Sequence, residues 1–370
     1  MSGWDDARRV LAVRLDTLGD VLMTTPALHA LLEAGPGGRE ITLLTSTFGA
    51  RITPLLPDVG QVVIHDPPWM KHGSHPAGPD ADLALIERLR DGAFDAAVIF
   101  TVYSQSPLPA ALLCHLAGIP LRLAHCRENP YRLLTDWVLE TEPERHVRHE
   151  VRRQLDLVAA AGVPAPDSPL RLALPASARE RARALLDEAG VDRSRPWIVV
   201  HPGATAPSRR YPPWRYAEAL RRMVVADGTQ VVVTGSADEV EVATDLAAAV
   251  RDGVVVLAGR TPLDVLAGVL AESSLLVSNN TGPVHMAAAL GTPVVVLYAL
   301  TNPQHIPWMV PSRVLSHDVP CRWCYKSVCP MGHHLCLRAV RPEEVVDAIR
   351  QMLREADAPA SVQPSGGGVV

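Results

Sequence analysis

The chain has 370 residues, enough for two domains that each bury a core, and its 48% hydrophobic and 20% charged content excludes a disordered chain. Forty acidic residues against 35 basic ones leave a net charge of −5, the reverse of the balance that nucleic-acid binding requires. Only Lys71 and Lys326 are lysines, so a cation needed by the chemistry will almost always be arginine; the bias suggests a GC-rich coding sequence.

The opening MSGWDDARRV has no apolar run behind a basic start and does not read as a signal peptide. Six cysteines then read as thiols of a reducing compartment, and the chain as cytoplasmic. Residues 96–121 and 273–312 contain no Asp, Glu, Lys or Arg. Polar residues and prolines interrupt both, so neither offers the roughly 20 apolar residues of a spanning helix.

In chain order, VLAVRL (10–15) is a buried strand and 19–34 a helix, followed by strands at 41–46, 61–66, 94–100 and 121–126. Helices at 81–92 and 106–118 fall between them, and the Pro/Gly/His-rich segment 67–80 reads as a surface loop. A helix at 149–162 leads to PAPDSP (164–169), an expected interdomain linker. The alternation then restarts: strands at 197–204, 230–236, 254–259, 275–280 and 293–299 are separated by helices from Trp214, at 238–250, at 262–272 and from Pro283. A last helix at 342–353 precedes an expected disordered tail, 355–370. Continuous apolar strands alternating with helices mean parallel sheets covered on both faces. The expectation is an α/β chain of two tandem Rossmann-like domains, 1–168 and 169–354, with a cleft between them. Function is sought at the carboxyl ends of the strands.

Four strand-end loops carry polar residues that folding does not demand. In RLDTLGDVLMTTPAL (14–28), Gly19 permits a tight turn and Asp20 opens a helix. Asp20 or Asp16 reads either as a helix N-cap or, for Asp20, as a general base kept ionised by the helix terminus. In HPGATAPSRRYPPW (201–214), Gly203, Thr205, Ser208, Arg209 and Arg210 form a candidate phosphate cradle. In NNTGPVHMAAALG (279–291), Asn280, Thr281 and Gly282 end a strand and Pro283 starts a helix, a ready anion site. His285 there is a ligand contact or a satisfied core histidine. In TGSADEVE (234–241), Glu239 reads as a ribose ligand or a solvated first-turn glutamate. One carboxylate in the first domain and three phosphate- or ribose-type loops in the second point to a nucleotide-sugar enzyme. G-x-G-x-x-G is absent from the first strand–helix turn, against a dinucleotide oxidoreductase.

RLDTLGDVLMTTPAL, HPGA with R-x-Y-P, NNTGPVH and LTNP, in that order, resemble glycosyltransferase family 9, the ADP-heptose:lipopolysaccharide heptosyltransferase family. The resemblance covers about residue 10 to about 350. It implies a GT-B fold, with acceptor on the N-terminal domain and sugar nucleotide on the C-terminal one, and an inverting, metal-independent transfer. It places the catalytic aspartate at Asp20, after Gly19, and the basic residue ahead of it at Arg14. Arg209 falls where the family usually has a phosphate-holding lysine. Thr205, Asn280, Thr281, Gly282 and His285 fall in the donor loops, and Glu239 at the ribose. Asn280 stands where many members have aspartate, and Ala299-Leu300 replace a Gly-Pro or Gly-Ser before Thr301-Asn302-Pro303.

The implied reaction moves heptose from ADP-heptose to a glycan or glycolipid acceptor of the lipopolysaccharide-core type. The enzyme is expected to be a monomer touching the inner membrane face, with no nucleic-acid partner and no required cofactor. Transfer of another nucleotide-activated sugar, to a polysaccharide or small natural product, and a non-catalytic sugar-nucleotide binder are the alternatives. Cys321, Cys324, Cys329 and Cys336, spaced C-x2-C-x4-C-x6-C with His333 and His334 among them, are weak candidates for a structural zinc site; their pairs lie closer than in zinc ribbons, and no metal is expected. Arg127, Arg132, Arg148, Arg152 and Arg153 read either as contacts for an anionic acceptor or, because nearby acids balance them, as a solvated helix face, and the second reading is preferred.

Overall fold

A computed structural model describes residues 3–35, 37–71, 78–250 and 253–357. Its first half contains β1 (Arg9–Arg14), α1 (Leu18–Glu33), β2 (Glu40–Thr45), α2 (Thr47–Ala50), β3 (Gln61–Ile64), α3 (Pro79–Asp91), β4 (Ala96–Ile99), α4 (Leu108–Leu116), β5 (Leu121–Cys126), β6 (Asp136–Leu139) and α5 (Glu150–Ala159). Its second half contains α6 (Ala176–Glu188), β7 (Trp197–His201), α7 (Pro213–Asp227), β8 (Gln230–Val233), α8 (Val240–Val250), β9 (Val254–Val256), α9 (Leu263–Glu272), β10 (Leu275–Asn279), α10 (Gly282–Leu290), β11 (Val294–Leu297), β12 (Ser312–Leu315), α11 (Leu335–Arg338) and α12 (Pro342–Asp357).

Two six-stranded sheets result, in the orders β3-β2-β1-β4-β5-β6 and β12-β11-β10-β7-β8-β9. Among the described residues every strand pairing is parallel. The central strands are apolar without alternation because helices cover both faces: Val10–Val13 and Leu275–Val277 are buried throughout. The chain reverses direction across the sheet between β1 and β4, and between β7 and β10. Those switch points open a crevice at the carboxyl ends of the strands, where α/β folds bind ligands.

Helix α1 has Pro26 in its interior. A proline there cannot donate to the carbonyl four residues back, and the Thr25 hydroxyl takes the bond to the Leu22 carbonyl at 2.7 Å instead. The same hydroxyl accepts the Arg171 N–H at 2.9 Å, so the segment joining the halves is docked on α1. Arg171 also pairs with Asp58 at 2.6 Å, and the Trp308 indole donates to the Ser168 carbonyl at 2.9 Å. One continuous apolar cluster reaches from Val10 and Leu22 through Leu170 to Val199, Val284 and Met286, so the two halves share a core where α1 meets α10.

The structure adds elements that the sequence pattern did not announce: the edge strands β6 and β12, helix α6, and the short helices α2 and α11. Helix α12 runs to Asp357, three residues into the expected tail, and α3 begins at Pro79, inside the expected loop 67–80. Residues 72–77 of that loop and 358–370 of the tail lie outside the described residues. Arg153 corrects the expectation of a solvated arginine face. It is 1% exposed and pairs with Glu140, and it donates to the Thr101 carbonyl. Arg148 is half-buried against Glu142 and Asp156.

The candidate active site

Strand β1 ends in Arg14, whose guanidinium is fully buried. It meets three carboxylates: Asp16 Oδ2 at 3.0 Å, Glu150 Oε1 at 2.9 Å and Asp20 Oδ1 at 3.4 Å. Burial would weaken its charge, but Asp16, Glu150 and Asp20 together raise its pKa above the ordinary arginine value. Thr17 is the N-cap of α1, and Asp20 is the third residue of a capping box rather than the cap itself. Asp20 Oδ2 accepts from the Thr17 N–H at 3.1 Å and the Thr17 hydroxyl at 2.7 Å. That leaves Oδ1 toward Arg14 and the cleft. Burial alone would push Asp20 up, but Arg14, His305 and the Thr17 bonds outweigh it and hold the carboxyl at about 2. One oxygen of Asp20 therefore shapes the helix start, and the other faces Arg14 and the cleft.

The N-termini of α1 and α10 meet across the cleft with a glycine on each. A Cβ on Gly19 would lie 3.0 Å from His285 Cδ2, and one on Gly282 would lie 2.8 Å from Leu18 Cδ1. Two converging helix starts add their positive ends at one place. Thr281 precedes α10 with its side chain making no cap bond. Neither polar atom of the buried Asn280 amide makes a well-formed hydrogen bond; the Tyr298 hydroxyl is its polar neighbour. Burial, with His305 adding to it, holds His285 at about 3, and its Nδ1 is buried without a hydrogen-bond partner.

Arg209 sits at the end of the turn Pro207–Arg209 and donates to Asn302 Oδ1 at 3.2 Å. Thr301 donates to the same oxygen at 2.8 Å. Because arginine can only donate, Oδ1 of that amide must face it, and Asn302 Nδ2 then donates to His305 Nδ1 at 2.6 Å. A neutral His305 therefore carries its proton on Nε2, which faces Glu150 Oε2 at 4.0 Å. Burial pushes His305 down to about 3 against the pull of Asp20, with Arg209 and Arg14 adding to the push. A hydrogen-bonded chain thus runs from the arginine of the second domain to His305, whose Nε2 faces Glu150 of the first across 4.0 Å. Sequence reading missed Glu150, Asn302 as a link, and His305; the Thr-Asn-Pro string two residues before His305 was the available signal.

Not every expected residue joins this centre. Glu239 caps the turn Ala237–Glu239, accepting from the Ser236 N–H at 2.8 Å, and lies 3.9 Å from His201 Nε2. A Cβ on Gly203 would collide with its carboxylate, so it covers the ends of β7 and β8. Thr205 is exposed on the 201–214 loop, and Arg210 turns back to the Ala204 carbonyl at 2.7 Å. Ser208 is tied to the Lys326 carbonyl at 2.7 Å.

The four clustered cysteines are free and half-buried. Together with His333 and His334 they line a small cavity, and Cys321 Sγ is 3.8 Å from His333 Nε2. Among the described residues no three His, Cys, Asp or Glu side chains are placed to hold a metal ion. Among the same residues no helix is long and apolar enough to cross a membrane.

Two parallel-sheet domains whose strand-end loops converge on one cleft are the GT-B architecture, and the protein is a glycosyltransferase. The family model for glycosyltransferase family 9 (heptosyltransferase) matches residues 83–335, and the chain belongs to that family. Lipopolysaccharide heptosyltransferase 2 of Escherichia coli (strain K12) is 27% identical over 362 residues, covering 95% of this chain and 100% of the relative. The solved structure of a family 9 glycosyltransferase from Veillonella parvula matches with a TM-score of 0.78 at 21% identity, over 96% of this chain and 99% of that one. The E. coli ADP-heptose lps heptosyltransferase II structure matches at 0.74 and 24% identity, over 95% of this chain and 100% of that one.

Proposed function

We propose that the protein transfers heptose from ADP-heptose to a hydroxyl of a lipopolysaccharide-core type acceptor, with inversion and with Asp20 as general base. The observation that carries this reading is the place of Asp20 Oδ1, at the meeting point of two helix N-termini and on the buried Arg14. The names of the similar enzymes supply the donor and acceptor class.

In the reaction the acceptor oxygen bonds to the anomeric carbon as the bond from that carbon to the diphosphate breaks. The acceptor proton passes to Asp20, and ADP leaves. At about 2 the resting carboxylate is ionised but a weak base. A diphosphate brought beside it raises its proton affinity by like-charge repulsion. Arg209 offers a planar fork that holds phosphate oxygens bidentately. With the starts of α1 and α10 it supplies the positive potential for the leaving diphosphate, so the scheme calls for no metal ion. Glu239, beside the 201–214 loop, fits the ribose hydroxyls, with Thr205 at the loop's exposed edge. Asn280, uncharged and without a well-formed hydrogen bond, favours one second reading: a nucleotide-activated sugar other than heptose.

The reaction so read belongs on the cytoplasmic face of the inner membrane, where a monomer would meet a lipid-anchored acceptor peripherally. Thermal shift against ADP-, UDP- and GDP-sugars, followed by ADP release in the presence of heptose-deficient lipopolysaccharide, tests the proposal. ADP-heptose should stabilise the protein, by about 2.7 kcal/mol at a hundredfold excess over Kd, and be consumed. Stabilisation by a UDP- or GDP-sugar alone would overturn it.

A further inference from the structure

Between β12 and α11 the chain runs as an irregular strap, residues 316–334. Backbone bonds pin it to the donor loops. The Trp323 N–H donates to the Leu300 carbonyl at 2.7 Å and the Tyr325 N–H to the Thr301 carbonyl at 2.8 Å. Ser208 donates to the Ser327 carbonyl at 3.0 Å through its N–H and to the Lys326 carbonyl at 2.7 Å through its hydroxyl. The four cysteines of this region line the small cavity shared with Ser208, Leu300 and Thr301. Trp323 and Tyr325 are held in the left-handed backbone region, at φ 60° and 52°, which bulky residues rarely adopt and which gathers at functional surfaces.

The outer side of the strap is apolar and basic. Trp323, Tyr325, Val328, Met331 and Leu335 are all exposed, Val328 at 65% and Met331 at 62%. Among the described residues no other stretch of that length exposes as many large hydrophobic side chains. Isolated exposed apolar residues need no explanation, but a group of them marks a contact surface. In a chain of net charge −5, residues 319–342 contain Arg322, Lys326, Arg338 and Arg341 and no Asp or Glu. Arg322 and Arg341 pair with Asp318 and Glu344 beyond the two ends. Lys326 and Arg338 are exposed and make no ion pair among the described residues. The strap also borders the cleft, because the Tyr325 ring meets Tyr103 of the first domain edge-on, with centroids 5.8 Å apart.

We propose that this strap docks the enzyme on an anionic bilayer surface, with Val328 and Met331 entering the interface and Lys326 and Arg338 among the headgroups. Aromatic and basic side chains suit the headgroup layer, and the apolar ones the acyl boundary beneath it. A bilayer fits better than a second copy of the chain, because a two-fold contact would set the same unpaired cations against each other. With Tyr325 at the cleft edge, docking brings the cleft to the membrane. The inference rests on the glycosyltransfer reading only for the purpose of docking, which is to meet a lipid-anchored acceptor.

The test is co-sedimentation of the full chain with vesicles of phosphatidylcholine, with and without phosphatidylglycerol. Neither vesicle contains a glycan, so the outcome is independent of the transfer reaction. Binding should need the anionic lipid and weaken as salt rises. Lys326→Gln should weaken it about fivefold, the worth of one basic residue near such a surface. The double variant Val328→Glu, Met331→Glu should weaken it at least tenfold, with ADP affinity by calorimetry within twofold of the unaltered protein. Equal binding to the two vesicles, no binding, or binding unchanged in both variants would overturn the proposal. So would a dimer in sedimentation velocity that the double variant dissolves, which would assign the surface to a second copy. Any of these results leaves the glycosyltransfer reading intact, since ADP release with a detergent-dispersed acceptor tests that separately.

Discussion

Replacing Arg14 by methionine removes the cation from a site where Asp16, Glu150 and Asp20 lie 3.0, 2.9 and 3.4 Å from its nitrogens and Glu150 is fully buried. Taking one partner from a buried ion pair costs about 3–5 kcal/mol, because the remaining charge has lost its compensation. We expect the lower end, about 3 kcal/mol, because Asp16, already at about 6, protonates readily and sheds part of the repulsion. The effect also has a definite pH dependence. In the native protein Asp20, held at about 2, contributes stability that is complete above its unfolded value and is lost as pH falls through 2. Without Arg14, burial is left unopposed and raises Asp16 and Asp20 above their unfolded values. Asp16 and Asp20 then cost stability at neutral pH and cease to do so as they protonate. The gap between the two proteins should shrink from pH 8 to pH 5. Urea denaturation combined with hydrogen exchange at the β1 amides measures it. A gap below about 1 kcal/mol, or one that does not change with pH, would show that the three carboxylates do not depend on Arg14.

Arg209→Ala should weaken ADP binding by roughly ten- to a hundredfold, the span of about 1.5–3 kcal/mol for hydrogen bonds to charged groups; calorimetry giving an unchanged Kd would remove Arg209 from the donor site. His305→Ala cuts the link from Asn302 toward Glu150 and should lower kcat by about tenfold with donor KM unchanged, while His305→Gln should recover part of the loss; a change in donor KM alone would make His305 a donor ligand instead. His285 and His305, both near 3, should contribute no titration between pH 5 and 8; an activity limb in that range that disappears in His285→Gln or His305→Gln would contradict this.

The central strands were legible because burial on both faces leaves no alternation to blur the pattern, as in Val10–Val13 and Leu275–Val277. The edge strands were not: β6 and β12 are only partly covered, and their mixed composition carries no strand signal. Helix α6 escaped notice because its buried stripe is only Ala178, Ala182 and Leu186, two small residues and one leucine set in an arginine-rich segment. At the site, Arg14, Gly19 and Asp20 lie within one turn-sized string, and a helix start concentrates charge locally. Glu150 stands 136 positions from Arg14, and His305 reaches the carboxylates only through the packing of one domain on the other. No local pattern encodes such a contact. Arg153 failed for the reverse reason. Nearby acids suggested a solvated face, but its ion pair with Glu140 is buried between β5, β6 and α5, where a lone charge would be too costly.

The most direct measurement of the central claim is single-turnover transfer by Asp20→Asn, with donor affinity determined on the same preparation. Asparagine keeps the size of the side chain and can still accept from Thr17 at the helix start, but it cannot take the acceptor proton. Turnover should fall by about 10²- to 10⁴-fold while ADP-heptose binds within a few-fold of the unaltered protein. Transfer within tenfold of the unaltered rate would show that Asp20 is not the base.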